Sequence, residues 1–166
     1  MNTRYYLPLV CILLFAACNN SSKKKEKETD TTMNTMDHQM PANNTTVPEL
    51  PPVPDGAKVY FKNLKDKATI SSPFKLEMGT EIIKIDTAGP VVSGTGHHHL
   101  FIDAEDSLAA GEIVPKDSIH IHFGKGQTEY ELKLSPGPHK LSLQMADGLH
   151  RSYGSKLSAT IHITVK

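Results

Sequence analysis

The stretch Lys140-Leu141-Ser142-Leu143-Gln144-Met145 decides the fold, because its apolar and polar residues alternate strictly. Successive side chains of a β-strand point to opposite faces, so Leu141, Leu143 and Met145 would share one face. The stretch Thr160-Ile161-His162-Ile163-Thr164-Val165 repeats the same alternation. Both stretches are therefore predicted to be strands that turn an apolar face to a core.

Five further runs have β character, and no segment shows a convincing helical period. The runs are Lys58 to Phe61, Phe74 to Met78, His97 to Asp103, Ile119 to Phe123 and Thr128 to Leu134. Turn-forming sequences such as Gly94-Thr95-Gly96 and Pro136-Gly137-Pro138 separate the runs. About seven strands in roughly 110 residues predict an all-β, immunoglobulin-like two-sheet sandwich over residues 56–166.

The beginning of the chain is typical of an export signal. The apolar run Leu7 to Phe15 is too short to cross a bilayer as a mature helix, which needs about twenty apolar residues. The sequence Leu14-Phe15-Ala16-Ala17-Cys18 resembles the bacterial lipoprotein signal, in which the cysteine becomes an acylated N-terminus. The resemblance implies a signal peptide over residues 1–17 and lipidation of Cys18. The alternative is ordinary cleavage after Ala17, which leaves Cys18 as a free thiol.

A lipid on Cys18 would hold the protein at a membrane of the bacterial cell envelope. Asn19, directly after the cysteine, is compatible with sorting to the outer membrane. Cys11 would leave with the signal, so the mature chain would have no disulfide. The oligomeric state stays open, and an envelope protein is a candidate partner.

Residues 18–55 are rich in Asn, Ser, Thr, Lys, Glu and Pro, a composition that cannot bury enough apolar area to fold. We predict a disordered tether here. It contains a cluster of thioether and imidazole side chains, a donor set that suits Cu(I): Met33, Met36, His38 and Met40. The alternative explanation of the cluster is compositional drift in a linker.

Composition and motifs exclude several classes of function. The chain has 18 basic and 18 acidic residues, so its charge gives no reason to expect nucleic acid or an anionic membrane surface as partner. A nucleophile elbow, a HExxH helix, a phosphate-binding loop and a dinucleotide fingerprint are all missing from the sequence. We therefore expect a protein without enzymatic activity.

Two histidine groups are the strongest indication of function. His97-His98-His99 is followed 21 positions later by His120, within Ile119-His120-Ile121-His122-Phe123. Imidazoles two positions apart on a strand point the same way, about 6–7 Å from one another. Because the apolar trio of the second stretch would take the core, His120 and His122 would share the opposite face.

The predicted metal ligands are His97, His99, His120 and His122. If Leu100 and Ile102 define the core side of their strand, the first two of these face outward, and His98 lies at the inner margin. His98 and His150, the latter in a loop after Asp147-Gly148-Leu149, are accessory candidates. Neutral imidazole binds copper, zinc and nickel, and the affinity order favours copper over zinc. The alternative is a non-catalytic structural or interaction module with no bound metal.

Two longer blocks carry a family resemblance. Gly96-His97-His98-His99-Leu100-Phe101-Ile102-Asp103 and the block from His120 to Glu129 resemble a bacterial envelope domain known as domain of unknown function 4399. The resemblance extends over roughly residues 56–166 and implies an exported domain without an established activity. The tail from Gly148 to Tyr153 departs from it, since related sequences often carry a loop richer in histidine and proline.

Overall fold

The computed structural model describes residues 46–166. That part of the chain contains nine β-strands and one 3-10 turn: β1 Lys58–Phe61, β2 Thr69–Ile70, β3 Phe74–Glu81, β4 Lys84–Ile85, β5 Thr95–Ile102, β6 His120–His122, β7 Glu129–Leu132, β8 Gly137–Ala146, β9 Ser158–Val165 and the 3-10 turn Ser155–Leu157. Within it, no helix is long and apolar enough to cross a membrane. The predicted signal peptide, Cys18 and the methionine and histidine cluster at residues 33–40 lie outside the described residues.

The strands form two packed sheets. The smaller sheet has the order β1-β3-β7, and both of its pairings are antiparallel. The larger sheet has the order β2-β9-β8-β5-β4, and β6 adds to β5 beside β4. The predicted all-β two-sheet sandwich is confirmed, and each of the seven predicted strands is present. The two-residue strands β2 and β4 were not predicted, because so short a segment carries no periodicity.

The core between the sheets follows from the alternation in β8 and β9. Leu141, Leu143 and Met145 of β8 are fully buried, and Ile161 and Ile163 of β9 contact them in the same cluster. The remaining buried members come from the smaller sheet, from β5 and β9, and from the segments between strands: Ala57, Val59, Leu64, Leu76, Met78, Ile83, Leu100, Phe123, Leu132, Tyr153, Leu157 and Val165. Burial of this apolar surface is the main contribution to folding, since the described part of the chain contains no cysteine.

The outer face of the larger sheet is covered as well. Two segments, residues 103–118 and 147–154, lie over it, and we call them the covering loops. They hydrogen-bond to each other, for example from the Val114 amide to the His150 carbonyl at 2.9 Å. Beneath them, Phe101 and Ala146 of the sheet form a second buried cluster with Val114. The polar face of β8 is therefore buried too, and Gln144 satisfies its side chain with three carbonyl oxygens and the Leu108 amide.

The packed region begins before the predicted boundary at Gly56. Leu50 and Val53, which the sequence assigns to the tether, pack against the core. Arg151 of the covering loops donates to the Pro48 carbonyl at 2.6 Å. A proline-rich composition is compatible with an extended segment that lies against a folded domain, so composition alone did not reveal this contact.

An ion pair at the end of β5 links that strand to β8. His139 donates from Nδ1 to Asp103 Oδ2 at 2.7 Å and from Nε2 to the Ser135 carbonyl at 2.9 Å. Both ring nitrogens therefore act as donors, which only the charged imidazole can do. Burial opposes this charge, but the hydrogen bonds to Asp103 and Ser135 outweigh it and raise the pKa of His139 above its ordinary value of 6.5.

This pair predicts a pH-dependent contribution to stability. Because the pKa of His139 is higher in the folded chain, its stabilisation is complete below about pH 6.5 and is lost as pH rises through the raised pKa. The free energy of unfolding should therefore differ between wild type and His139→Gln at about pH 6, and the difference should shrink by about pH 9. Urea denaturation at several pH values measures it. Asp103→Asn should remove the same trend, and a difference that does not change with pH would contradict the assignment.

Candidate metal centre

Strand register brings three histidines to one place. β5 lies between β8 and β6, and His99 is directly opposite His122 in the β5–β6 pairing. Directly opposite residues of an antiparallel pair project to the same face. His97, two positions before His99, shares that face. The face is the outer one, because Leu100 of the alternate set lies in the core between the sheets.

A fourth histidine comes from the covering loops. The His150 amide donates to the Asp147 carbonyl at 2.9 Å, which closes a tight turn directly after β8. Asp147 Oδ1 accepts the amides of Leu149 and Arg151, both at 2.9 Å. His150 has a φ of 65°. This left-handed conformation is uncommon for a residue other than glycine, and it occurs where the surrounding structure imposes it.

A buried ion pair holds that turn. Arg151 Nη2 donates to Asp147 Oδ2 at 2.6 Å, and Arg151 Nε donates to the same oxygen at 2.8 Å. Only 1% of the Asp147 side chain is exposed, so its charge needs these donors and the two amides. The carboxylate is therefore fully engaged in shaping the loop that carries His150.

We call His97, His99, His122 and His150 the four-histidine cluster. Nε2 of His97 lies 3.1 Å from Nε2 of His99, and Nε2 of His122 lies 3.1 Å from Nε2 of His150. Ring centroids are 4.7–5.1 Å apart in five of the six pairs and 6.1 Å apart between His99 and His150. The four imidazoles thus converge on one small volume.

These separations suit a shared metal ion. Bonds from histidine nitrogen to zinc, and to metals of similar size, are about 2.0–2.1 Å long, which puts two neighbouring ligand atoms about 2.9–3.4 Å apart at angles of about 90–109°. Both 3.1 Å contacts lie within this range. One ligand atom from each of His97, His122 and His150 lies within 4.8 Å of the others. Two ligand atoms on opposite sides of one ion are roughly 4.1 Å apart. The widest of these pairs would have to contract by less than about 1 Å to reach that separation.

The three strand histidines of the cluster, His97, His99 and His122, are held uncharged. Burial, and secondarily repulsion from neighbouring imidazoles, lowers the pKa of His97 to about 4 and the pKa of His99 to about 2. Burial also lowers the pKa of His122, and the charges of His150 and Lys116 lower it further. Neutral imidazoles have the free electron pairs that a metal ion needs, so protons compete weakly at neutral pH.

Packing, more than hydrogen bonds from the second ring nitrogen, fixes the rings of His97 and His99 on β5. Nδ1 of His97 and Nδ1 of His99 make no hydrogen bond within the described residues. Histidine ligands of metals usually donate from their second nitrogen to a carboxylate or a carbonyl. Here the rings are 0% and 1% exposed, and the sheet and the covering loops confine them instead.

A pocket leads to the cluster from outside. It has a volume of about 280 Å³, and three members of the cluster form part of its lining: His99, His122 and His150. The other lining residues come from one covering loop: Ile113, Val114, Pro115 and Lys116. The pocket gives an ion a route to ligands that are otherwise buried.

The structure brings three of the four predicted ligands together and separates the fourth. His120 faces the same side as His122, but Nδ1 contacts the Asp117 carboxylate at 2.8 Å and Nε2 contacts Glu105 Oε1 at 3.0 Å. Its ring also packs edge-on against Phe101 at 4.8 Å. Both nitrogens are thus engaged away from the cluster, and the accessory candidate His150 lies in the place predicted for His120.

His98 points the other way. It shares the inner face with Leu100, is 0% exposed, and lies opposite Met145 in the β5–β8 pairing. Neither ring nitrogen has a hydrogen-bond partner within residues 46–166. Burial lowers its pKa to about 4. His98 is therefore a neutral core residue, apart from the four-histidine cluster.

The outward orientation predicted for His97 and His99 is correct, but their exposure is not. Both point away from the core between the sheets, as the alternation with Leu100 indicates. The covering loops then bury them, which no periodicity in the sequence could reveal. Ala146, the last residue of β8, is the partner of His97 in the sheet, and the sequence gives no sign of this register. Because β8 ends beside His97, the turn that follows β8 places His150 at the cluster.

Gly124 has a positioning role that sequence reasoning missed. A Cβ at this position would lie 2.2 Å from Nε2 and from Cε1 of His122. The imidazole therefore occupies the space that any larger residue at position 124 would need. The Gly124-Lys125-Gly126 turn is thus part of the site.

We predict that Gly124→Ala moves the His122 ring out of the cluster. The overlap should also lower the free energy of unfolding by about 1–3 kcal/mol, as overpacking commonly does. A crystal structure of the variant and a urea titration measure the two effects. Gly126→Ala in the same turn is the control for the ring position alone: its Cβ would meet no atom closer than 3.5 Å, so the His122 ring should stay in place. Its stability is not compared, because the φ of 73° at Gly126 strains any residue other than glycine. An unmoved ring in Gly124→Ala would contradict the prediction.

Comparisons with known proteins identify the family and nothing narrower. No curated protein and no solved structure matches the chain. A family model described as Domain of unknown function (DUF4399) matches residues 76–166. The match covers more than half of the 166 residues and includes all four members of the cluster. The predicted resemblance is confirmed over that range, and the chain belongs to the DUF4399 family.

Proposed function

We propose that this protein is a cell-envelope lipoprotein that binds a transition-metal ion, with copper favoured, at the four-histidine cluster. One observation carries the proposal: four imidazoles converge, two of them buried and two partly buried, with two Nε2 pairs each 3.1 Å apart. The lowered pKa values of His97, His99 and His122 keep their lone pairs free at neutral pH. Nitrogen lone pairs that face one another need a shared cation or a shared proton. A metal ion would be shared first by His97, His122 and His150, whose ligand atoms lie within 4.8 Å of one another, with His99 beside His97 as the fourth ligand.

Copper is favoured for chemical reasons. A site made of imidazole nitrogen suits copper, zinc and nickel, and copper heads the affinity order of divalent ions. Four nitrogen ligands also match the square-planar and tetragonal geometries of Cu(II). Zinc would accept a tetrahedral version of the same ligands and is the second choice.

The predicted tether adds a softer set of donors. Met33, Met36, His38 and Met40 combine thioether and imidazole, which suits Cu(I). Arg151, next to His150 in sequence, contacts the carbonyl of Pro48. Met40 lies eight positions before Pro48 in the sequence, a length of chain that spans at most about 29 Å. We propose that the tether is a second, softer copper site of the same protein.

Location follows from the signal resemblance. Under the proposal, the signal peptide over residues 1–17 is removed, Cys18 is acylated, and the lipid anchors the domain in the envelope, with Asn19 favouring the outer membrane. We also propose that the protein has no enzymatic activity, and that an envelope protein supplies or receives the metal. The net charge of zero argues against nucleic acid as a partner.

The competing function is a structural or interaction module without metal. Each 3.1 Å contact between Nε2 atoms also suits an N–H···N hydrogen bond between two neutral imidazoles. Two such bonds would satisfy the four converging nitrogens in pairs. The two functions differ in one measurable property, the affinity for metal.

The proposal predicts one Cu(II) ion per chain, bound by the cluster, because the thioether donors of the tether suit Cu(I) instead. We expect tight Cu(II) binding to the untagged chain of residues 19–166 in a calorimetric titration. Replacing both His122 and His150 by alanine removes two of four ligands and should weaken binding at least about 100-fold. His98→Leu is the matched control, because it removes a neighbouring imidazole from the opposite face and should leave the affinity unchanged.

Circular dichroism of each variant checks that it is folded. Binding no tighter than micromolar in the wild type, or binding that survives the double substitution, would favour the metal-free module instead.

The anchoring proposal predicts acylation at one cysteine. In a bacterial host, wild-type protein should incorporate labelled fatty acid and fractionate with membranes, whereas Cys18→Ser should do neither. Cys11→Ser is the matched control, since the second cysteine lies in the removed signal and the label should persist. A mature protein that begins at an unmodified Cys18 with a free thiol would contradict the prediction.

A further inference from the structure

The pocket lies outside the four-histidine cluster and opens onto one side of it. His99, His122 and His150 line its inner end, whereas His97 is absent from the lining and lies beneath. An ion held by the four nitrogens would therefore turn one side toward the pocket. With a volume of about 280 Å³, the pocket has room for several atoms beyond one water, whose share of liquid volume is about 30 Å³.

The side chains around the pocket do not neutralise the positive charge of a bound metal ion. Four neutral imidazoles add no negative charge to the ion. The nearby carboxylates are already engaged: Asp147 pairs with Arg151, and Glu105 and Asp117 both contact His120. Lys116 lines the pocket and contributes a further positive charge. A metal ion at this site would thus produce a positive pocket with no anionic side chain in its lining.

The rest of the lining strengthens this effect. Val114 forms a buried apolar wall, and the exposed side chains of Ile113 and Pro115 extend it at the rim. Attraction between opposite charges increases where apolar groups replace water. Burying an uncompensated charge is costly, so a positive and partly dehydrated site favours a small anion.

We propose that the pocket is a binding site for a small monovalent anion with one donor atom, of the halide, azide or carboxylate class. The anion coordinates the open side of the metal ion, and the ammonium group of Lys116 contacts it from the covering loop. This inference rests on the proposed metal binding and adds an exchangeable ligand to it. The apolar wall and the pocket size select against large or polyvalent anions, which lose more hydration on entry.

Azide is the probe, because its complex with Cu(II) has a charge-transfer absorption band. The untagged chain of residues 19–166 is loaded with one equivalent of Cu(II) and titrated with sodium azide at constant ionic strength. We expect a saturable band with one azide per copper and a changed electron paramagnetic resonance spectrum. Chloride in excess should reduce the band by competition.

Two variants test whether Lys116 contacts the bound anion. Lys116→Gln should weaken azide binding about threefold to tenfold, since one charge contact at the exposed rim of the pocket is lost. Lys125→Gln is the matched control, because Lys125 is outside the pocket lining and its loss should not change azide binding. Equal effects of the two substitutions would overturn the assignment of Lys116.

The experiment distinguishes failure of the anion site from failure of the metal site. If the chain does not take up Cu(II), both are overturned. If the copper-loaded chain shows no azide band, or if gel filtration shows that azide removes the copper, only the anion site is overturned. A saturable band with copper retained on the protein supports the proposal.

Discussion

The register of β5 between its two neighbours is the constraint on which the rest of this structure depends. His99 is opposite Gln144 on one side and His122 on the other. A slip of one residue would exchange the two faces of the strand. His97 and His99 would then enter the core, and Leu100 would leave it. Hydrophobic burial of Leu100 thus sets the orientation of the imidazoles.

The covering loops turn an aligned row of histidines into a site. Without them, His97 and His99 would stand on an exposed sheet face, where imidazoles titrate near pH 6.5. Burial keeps these rings neutral, and the turn held by Asp147 and Arg151 adds His150. Within residues 46–166 the Nε2 atoms of the four rings have one another as hydrogen-bond partners, and this is what makes the cluster chemically informative. A metal ion would bind these converging nitrogens in place of the paired contacts.

The histidines of β5 and β6 therefore have different surroundings. His98 is a neutral core residue, His97 and His99 belong to the cluster, and His120 links Asp117 to Glu105 beside it. The contacts of His120 join the two ends of one covering loop, since Glu105 and Asp117 lie near its beginning and end. The wall of the pocket, residues 113–116, belongs to that loop. His120 thus supports the site but contributes no nitrogen to the cluster.

The sequence by itself determined the seven longer strands, the sandwich and the side of β5 that carries His97 and His99. These follow from local alternation, because a strand's side chains must take opposite faces in turn. It also determined that His122 shares a face with His120, though not that carboxylates would engage the latter. Only the tertiary structure decided that His150 completes the cluster, that Gly124 leaves room for His122, and that His97 and His99 are buried. Each of those facts depends on contacts between segments distant in sequence, and no periodicity within a single segment encodes such contacts.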